Sequence, residues 1–185
     1  MKVTPLSIPD VLLIEPHVFE DSRGFLFESF REDIFKHKTS LDVLFVQDNH
    51  SMSSQGVLRG LHYQLPPHAQ GKLTRVIQGE VLDVAVDIRE SSPTCGQYVA
   101  EILSSDNKKQ LYIPEGFAHG FLTLSETSEY LYKTTDFYDP QSERCILWSD
   151  ATLNIAWPKD LKIELSSKDL LGQSFEFISL FPCKQ

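Results

Sequence analysis

Apolar and polar residues alternate one by one in the middle of the chain, which is the period of a β-strand. From residue 82 to residue 88 every second side chain is leucine, valine or isoleucine, and the intervening residues include Asp83 and Asp87. Turn residues interrupt the chain at short intervals, for example at Gln78-Gly79 and at Pro114-Glu115-Gly116. Many short strands separated by regular turns predict an all-β sandwich or barrel.

Helical patterns are short and peripheral to these strands. Residues 31–37 are predicted to form one short helix, and residues 167–171 a turn of another. The chain has 185 residues, of which 41% are hydrophobic, and this is enough for one domain with a full core. Residues 1–185 are therefore expected to form a single domain, without internal repeats or linkers.

The charge balance and the cysteines narrow the class of protein. The formal net charge of −9 argues against a nucleic-acid-binding surface, although a few cations in one cleft still suit a small anionic ligand. The longest apolar run near the start, residues 11–14, is too short to span a membrane. Cys95, Cys145 and Cys183 have no metal-ligand spacing and are expected to be reduced thiols. We therefore expect a cytoplasmic protein with no membrane or nucleic-acid partner.

Two segments each place a histidine on a predicted strand. Residues 114–119 have the spacing Pro-x-Gly-x-x-His, which resembles the second half-motif of cupin β-barrels, where this histidine usually helps to hold a metal. The first cupin half-motif needs His-x-His, but here His62 is followed by Tyr63 and Gln64. Glutamine is a poor ligand for transition metals, and His68 is the only other local candidate. This combination indicates acid/base chemistry in a cupin-type barrel that holds no metal.

Strand periodicity predicts which side chains lie beside the two histidines. His62 and Gln64 are expected on the same side as Leu58, and Arg59 joins them only if Gly60 forms a bulge. His119 shares a face with Phe121 and Thr123, and Asp83, on the more polar face of its own strand, is a plausible partner for His119. Each histidine therefore has both a structural and a catalytic interpretation at this point.

Two further features carry the same ambiguity. Tyr130 and Tyr132 share one face of a predicted strand, either as core aromatic residues or with one phenol that delivers a proton. The run from Ser166 to Asp169 is typical of a helix N-terminus, where a carboxylate is favoured in the first turn.

Taken together, these segments resemble the dTDP-4-dehydrorhamnose 3,5-epimerase family along nearly the whole chain. The resemblance rests on Asp21-Ser22-Arg23-Gly24-Phe25, on the runs 56–64, 72–76 and 112–121, and on Ser167-Lys168-Asp169. It implies a cupin-type jelly-roll homodimer without a metal or organic cofactor. It further implies action on a dTDP-sugar in dTDP-L-rhamnose biosynthesis, with proton abstraction and return beside the C4 ketone.

The resemblance also implies roles for individual residues. His62 would be the general base, held by Asp169; Tyr132 would be the acid on the opposite face of the sugar; Lys72 would lie close to the C4 oxygen. His119 and Asp83 would form a supporting pair. Arg59 and Arg23 would contact the diphosphate, with Lys168 nearby. The nucleotide would be contacted by Gln47, Asn49, Glu28 and Tyr138, some of them across the dimer interface.

The chain departs from the family pattern in two places. Leu26 stands where many members have a second aromatic residue, and Leu170-Leu171-Gly172 follows Asp169 where a proline often comes soon after. Other functions also remain open. These are a metal-dependent cupin enzyme, a nonenzymatic sugar-nucleotide-binding jelly roll, and a mono-epimerase or keto-isomerase of a related nucleotide deoxysugar.

Overall fold

Two antiparallel β-sheets form the framework of the molecule. The computed structural model describes residues 1–182, and Cys183 lies outside them. Within this range the strands are β1 (Lys2–Pro5), β2 (Leu12–Glu15), β3 (Phe19–Asp21), β4 (Gly24–Leu26), β5 (Gln47–Ser54), β6 (Leu58–Gln64), β7 (Lys72–Gln78), β8 (Glu80–Asp87), β9 (Tyr98–Ser104), β10 (Gln110–Ile113), β11 (Phe117–Thr123), β12 (Thr127–Thr134) and β13 (Glu143–Cys145). The prediction of an all-β fold is confirmed.

The strand order gives the sheets a jelly-roll topology, because sequential strands repeatedly cross from one sheet to the other. One sheet has six strands in the order β1-β2-β10-β7-β12-β5, and the other has five in the order β13-β6-β11-β8-β9. Strands β3 and β4 form a separate hairpin. The cupin-type jelly roll expected from the two half-motifs is therefore confirmed.

The helical elements are short, as expected. Helix α1 spans Glu32–Thr39, with acidic residues in its first turn and basic residues in its last, which suits the helix dipole. Single turns of 3₁₀-helix span Asp169–Leu171 and Phe175–Phe177. No helix in the described part of the chain is long and apolar enough to cross a membrane.

Apolar side chains fill three layers around the two sheets. The central layer lies between them, because alternate residues of facing strands, such as Val76, Ala85, Leu111 and Phe121, point inward. A second layer covers the outer face of the six-stranded sheet, where α1 contributes Phe35. The third layer covers the outer face of the five-stranded sheet with the C-terminal chain. Polar residues at the inward positions near one end of the barrel form the functional cleft.

A bulge in β6 determines which side chains of the first histidine segment point into the barrel. His62 pairs with His119 on β11, but the next pair is Arg59 with Phe121, so two residues of β6 face one residue of β11. Gly60 occupies the bulge with φ of +134°, a conformation that residues with a Cβ rarely adopt.

Because of the bulge, the residues of β6 that precede Gly60 point to the opposite faces of the sheet from those that simple alternation predicts. Arg59 and His62 both line the cleft, as the conditional prediction required. Leu58 instead packs with Leu61 in the layer outside the five-stranded sheet. The expectation that Leu58 shares a side with His62 was therefore wrong, because simple alternation does not hold across a bulge.

Candidate active site

Inward-facing side chains of both sheets line a cleft with a volume of about 400 Å³. His62 comes from β6 in the five-stranded sheet, and Tyr132 from β12 in the six-stranded sheet. Lys72 comes from β7, and the segment that contains Asp169 closes one side. The two sheets thus present different chemical groups to the same space from opposite walls.

A buried carboxylate holds the imidazole of His62. Nε2 of His62 lies 2.7 Å from Oδ1 of Asp169, which is only 3% exposed. The same carboxylate accepts hydrogen bonds from the main-chain N–H of Gly60 (3.2 Å) and from Ser166 Oγ (2.6 Å). Burial alone would raise the pKa of Asp169, but the hydrogen bonds from His62 and Ser166 lower it to about 2. Asp169 is therefore ionised and aligned before any ligand binds.

The run from Ser166 to Asp169 begins a helical turn, as predicted, and it also carries the carboxylate that contacts His62. The N–H of Asp169 donates to Ser166 Oγ at 3.2 Å, while the carboxylate of Asp169 accepts from the main-chain N–H of Ser166 at 3.4 Å, a reciprocal arrangement typical of a helix start. The 3₁₀ turn begins at Asp169. The capping contact thus fixes the carboxylate that holds His62.

The other ring nitrogen of His62 is buried and has no hydrogen-bond partner among the described residues. Glu143 Oε1 lies 3.3 Å from this Nδ1, but without the alignment of a hydrogen bond. With the proton of the neutral ring assigned to Nε2, where Asp169 accepts it, Nδ1 carries the free lone pair. Burial lowers the pKa of His62, but the carboxylates of Asp169 and Glu143 outweigh it, so the pKa lies above its ordinary value. This is the arrangement of a general base.

Lys72 supplies a buried cation next to the histidine. Its side chain is 7% exposed, and Nζ donates to the main-chain oxygen of His62 at 3.2 Å. Burial lowers the pKa of Lys72 to about 8, although Asp83 and Glu143 partly oppose this change. The ammonium form still predominates at neutral pH, and it is suited to stabilise negative charge that develops on a nearby oxygen.

The predicted pairing of His119 with Asp83 is confirmed. Nε2 of His119 lies 2.9 Å from Oδ1 of Asp83, which is fully buried. Oδ2 of Asp83 accepts hydrogen bonds from the hydroxyls of Tyr130 and Thr74. Burial lowers the pKa of His119, so this imidazole is neutral at neutral pH. Tyr130 is thus engaged in a network beneath the cleft and is not free to deliver a proton.

Tyr132 has the free phenol of the pair. Its hydroxyl forms no hydrogen bond with any residue that the structure describes, and it faces the cleft from the sheet opposite His62. Burial, with Glu143 nearby, raises the pKa of Tyr132, so the hydroxyl stays protonated at neutral pH. A protonated phenol and a carboxylate-held imidazole therefore face each other across the cleft.

Polar and aromatic side chains extend the cleft toward solvent. Arg59 is held by Ser53 Oγ at 3.0 Å and by the main-chain oxygen of Met52 at 3.1 Å. The amide of Gln47 donates to Asn49 Oδ1 at 3.0 Å and accepts from the N–H of Tyr138 at 3.1 Å.

The exposed ring of Tyr138 marks the outer end of the cleft. Its hydroxyl donates to Glu143 Oε2 at 2.7 Å, and Nζ of Lys168 contacts the same carboxylate. Asn49, Arg59, Tyr138 and Lys168 all line the cleft. They offer a cation and a flat ring outside the histidine, the groups suited to a phosphate and an aromatic base.

Four of the predicted site residues do not line this cleft. Asp83 lies behind its wall, bound to His119, and Gln47 borders it through Asn49 and Tyr138. Arg23 and Glu28 lie farther away. Arg23 is exposed on the β3–β4 hairpin, where it pairs with Asp21 at 2.6 Å. Glu28 pairs with Arg31 at 3.3 Å. The same hairpin exposes apolar side chains, and Leu26 is 73% exposed. Within one chain, Arg23 and Glu28 do not join the other site residues.

Glu143 is the main site residue that the sequence analysis missed. It lies on the edge strand β13, beside β6, and contacts His62, Tyr138 and Lys168. Burial would raise the pKa of Glu143, but these three neighbours lower it to about 2. No local sequence pattern indicates that Glu143 belongs to a site, because residues 142–145 have the composition of an ordinary exposed edge strand.

The residues at the cupin metal positions do not fit a metal centre. The side-chain amide of Gln64 donates to the main-chain oxygens of His68 and Phe137 and accepts from the N–H of Asp139. His68 is exposed and pairs with Asp136 at 3.1 Å. Since His119 is also paired, with Asp83, no cupin ligand set converges on the cleft among the described residues.

The fold is a cupin-type jelly roll, and its cleft holds a carboxylate-bound histidine and a free phenol on facing sheets, the groups that acid/base enzymes use. The family model of dTDP-4-dehydrorhamnose 3,5-epimerase matches residues 5–176. The dTDP-4-dehydrorhamnose 3,5-epimerase of Pseudomonas aeruginosa is 57% identical over 182 residues, covering 98% of this chain and 100% of that protein. The chain belongs to the dTDP-4-dehydrorhamnose 3,5-epimerase family.

Solved structures agree with this assignment. The crystal structure of the dTDP-6-deoxy-D-glucose-3,5-epimerase of Legionella pneumophila in complex with dTDP-4-keto-L-rhamnose has a TM-score of 0.96 and 45% identity, covering 100% of this chain and 99% of that one. A 3'-monoepimerase from Streptomyces bikiniensis in complex with dTDP-quinovose has a TM-score of 0.90 and 32% identity, covering 96% and 91%. The fold is thus shared by enzymes that invert one carbon and by enzymes that invert two.

Proposed function

We propose that this enzyme inverts C3 and C5 of dTDP-4-dehydro-6-deoxy-D-glucose to give dTDP-4-dehydro-L-rhamnose, in dTDP-L-rhamnose biosynthesis. The observation that carries this proposal is the pairing of an Asp169-held His62 on one sheet with the free phenol of Tyr132 on the other. Inverting a carbon next to a ketone requires a proton to leave one face and another to return to the opposite face. A base and an acid on opposite walls of one cleft meet that requirement.

His62 is the base in this scheme. Its Nδ1 lone pair takes the proton from the carbon next to the C4 ketone, and the C–H electron pair moves into an enolate on the C4 oxygen. The ionised Asp169 stabilises the imidazolium that forms. The Lys72 ammonium stabilises the enolate oxygen, a contribution that is often the largest in such reactions. His119 and Asp83 support this wall of the cleft from behind.

Tyr132 completes the inversion. Its phenol gives a proton to the opposite face of the enolate carbon, and the electron pair of the enolate returns to form the C4 ketone. The phenolate then regains a proton from solvent, and the imidazolium of His62 loses one. This cycle needs no metal and no organic cofactor, so activity is expected to survive treatment with EDTA.

The outer cleft binds the nucleotide part of the substrate. Arg59 suits a diphosphate because a guanidinium gives paired hydrogen bonds, and Lys168 adds charge nearby. Tyr138 presents an exposed ring for the base, with Gln47 and Asn49 beside it.

The enzyme acts as a homodimer in this proposal. Arg23 and Glu28 lie outside the cleft of their own chain, on or next to a hairpin with exposed apolar side chains. A second copy would cover that hairpin and receive Arg23 and Glu28 at its own nucleotide site. Cys95 and Cys145 are free thiols, which suits action in the cytoplasm.

Product analysis in deuterated water tests the function. NMR of the product from dTDP-4-dehydro-6-deoxy-D-glucose should show inversion and one solvent deuterium at both C3 and C5. Deuterium and inversion at only one carbon would instead establish a mono-epimerase, the alternative favoured by the Streptomyces bikiniensis relative. Loss of turnover on removal of a stoichiometric metal would establish a metal-dependent cupin enzyme.

A further inference from the structure

One side chain beside the His62–Asp169 pair has no part in the proposed reaction. Cys145, on β13, is the register partner of His62 on β6. One ligand atom from each of His62, Cys145 and Asp169 lies within 4.8 Å of the other two. Within residues 1–182 no second group of three histidine, cysteine or acidic side chains converges in this way. A thiolate, an imidazole and a carboxylate are all established ligands of zinc.

We propose that His62, Cys145 and Asp169 bind Zn²⁺ or the chemically similar Cd²⁺, and that the bound cation inhibits the enzyme reversibly. Three protein ligands with an open fourth position, filled by water, give a tetrahedral site. This site differs from the metal centre of other cupins, because Gln64 and His119 at the cupin positions are engaged elsewhere.

The proton movements explain why the cation inhibits. Asp169 faces Nε2 of His62, so the cation binds the ring at this nitrogen. The ring proton then resides on Nδ1, close to the carboxylate of Glu143, whose Oε1 lies 3.3 Å away. The thiol proton of Cys145 goes to solvent as the sulfur becomes a metal-bound thiolate. A protonated Nδ1 has no lone pair for the substrate, so the base is lost.

In the free enzyme the Cys145 thiol is partly buried, and its Sγ contacts the main-chain oxygen of Ile146 at 3.5 Å. A cation binds this sulfur only by displacing the thiol proton.

The test compares the wild-type enzyme with Cys145→Ser and with the matched control Cys95→Ser. Cd²⁺ is titrated against each protein, and the ultraviolet charge-transfer band of the cadmium–thiolate bond is recorded. Zn²⁺ is titrated in the epimerisation assay, followed by EDTA. We expect the band and EDTA-reversible inhibition in the wild type and in Cys95→Ser. Cys145→Ser should be fully active without metal, lack the band, and need at least roughly tenfold more Zn²⁺ for the same inhibition.

Two results would overturn the proposal. One is an equal cadmium–thiolate band in Cys145→Ser and the wild type, which would place the cation on another cysteine. The other is equal Zn²⁺ sensitivity of the two proteins. The inhibition rests on the proposed role of His62 as base, whereas the Cd²⁺ band does not. A band without inhibition would therefore refute inhibition at this site while leaving metal binding intact, and a failed product analysis would leave the band unaffected.

Discussion

Replacing Asp169 with asparagine separates the charge of this residue from its geometry. Oδ1 accepts from Gly60 N–H and His62 Nε2, while Oδ2 faces the hydroxyl of Ser166. An asparagine can keep its oxygen toward Gly60 and His62 and direct its NH₂ at Ser166, whose hydroxyl can also accept. Asp169→Asn should therefore preserve the tautomer and orientation of His62 while removing the negative charge and the weak contact from Ser166 N–H to Oδ2 at 3.4 Å.

The magnitude follows from the difference between a charged and a neutral hydrogen bond. Hydrogen bonds to charged groups contribute about 1.5–3 kcal/mol, and neutral ones about 1 kcal/mol. Losing about 0.5–2 kcal/mol of imidazolium stabilisation corresponds to a roughly 2- to 30-fold lower kcat. Asp169→Ala removes the orienting oxygen as well, and it should lose roughly a hundredfold or more, the scale of a general base.

The pH profile gives a second, independent readout of the same change. Asp169 and Glu143 hold the pKa of His62 above its ordinary value, and only the unprotonated ring can act as base. Activity in the wild type should therefore fall as pH drops through this raised pKa. In Asp169→Asn the pKa of His62 falls, so the acid limb of kcat/KM should move to lower pH. An unchanged limb, or a larger loss in Asp169→Asn than in Asp169→Ala, would refute this reasoning.

The remaining predictions concern the acid, the bulge and the dimer. His62→Ala should abolish both epimerisation and exchange of ring protons with deuterium, whereas Tyr132→Phe should keep exchange while forming little inverted sugar; NMR in deuterated water measures both, and wild-type exchange in His62→Ala would contradict the assignment. Gly60→Ala would place a Cβ 2.5 Å from the Cα of Gly120 at φ of +134°, so it should destabilise the fold by about 2–3 kcal/mol. Thermal unfolding checks this, and an unchanged melting temperature would be the contrary result. If Arg23 serves the partner's site, a reassociated 1:1 mixture of Arg23→Ala and His62→Ala chains should recover about a quarter of wild-type activity, because half the dimers are mixed and each holds one intact site. Absence of recovery in mixed dimers, verified by mass, would oppose a shared site.

Residue types and their spacing predicted much of the fold and the chemistry of the cleft. Alternation along β8 placed Asp83 on the more polar face of its strand as a plausible partner of His119, and the spacing around His119 indicated a cupin-type strand; the structure pairs these two residues. The loss of the second histidine at Gln64 indicated a cleft without a cupin metal set. The pairing of His119 with Asp83 was predictable because the faces of a strand follow from a two-residue period, which is a local property of the chain.

Contacts between distant segments could not be predicted in this way. Glu143 contacts His62 only because the edge strand β13 pairs with β6, and no pattern in residues 142–145 predicts that pairing. Tyr130 and Tyr132 share a face and a residue type, yet one hydroxyl is bound to Asp83 and the other faces the cleft free.

The bulge at Gly60 shows where local periodicity no longer predicts the face of the sheet to which a side chain points. Counting residues put Leu58 beside His62, but the extra residue in β6 put Leu58 outside the sheet and Arg59 in the cleft. The sequence alone determined which side chains could do the chemistry. Only the pairing of strands far apart in the chain decided which of them meet, because that pairing depends on the whole packed arrangement of both sheets.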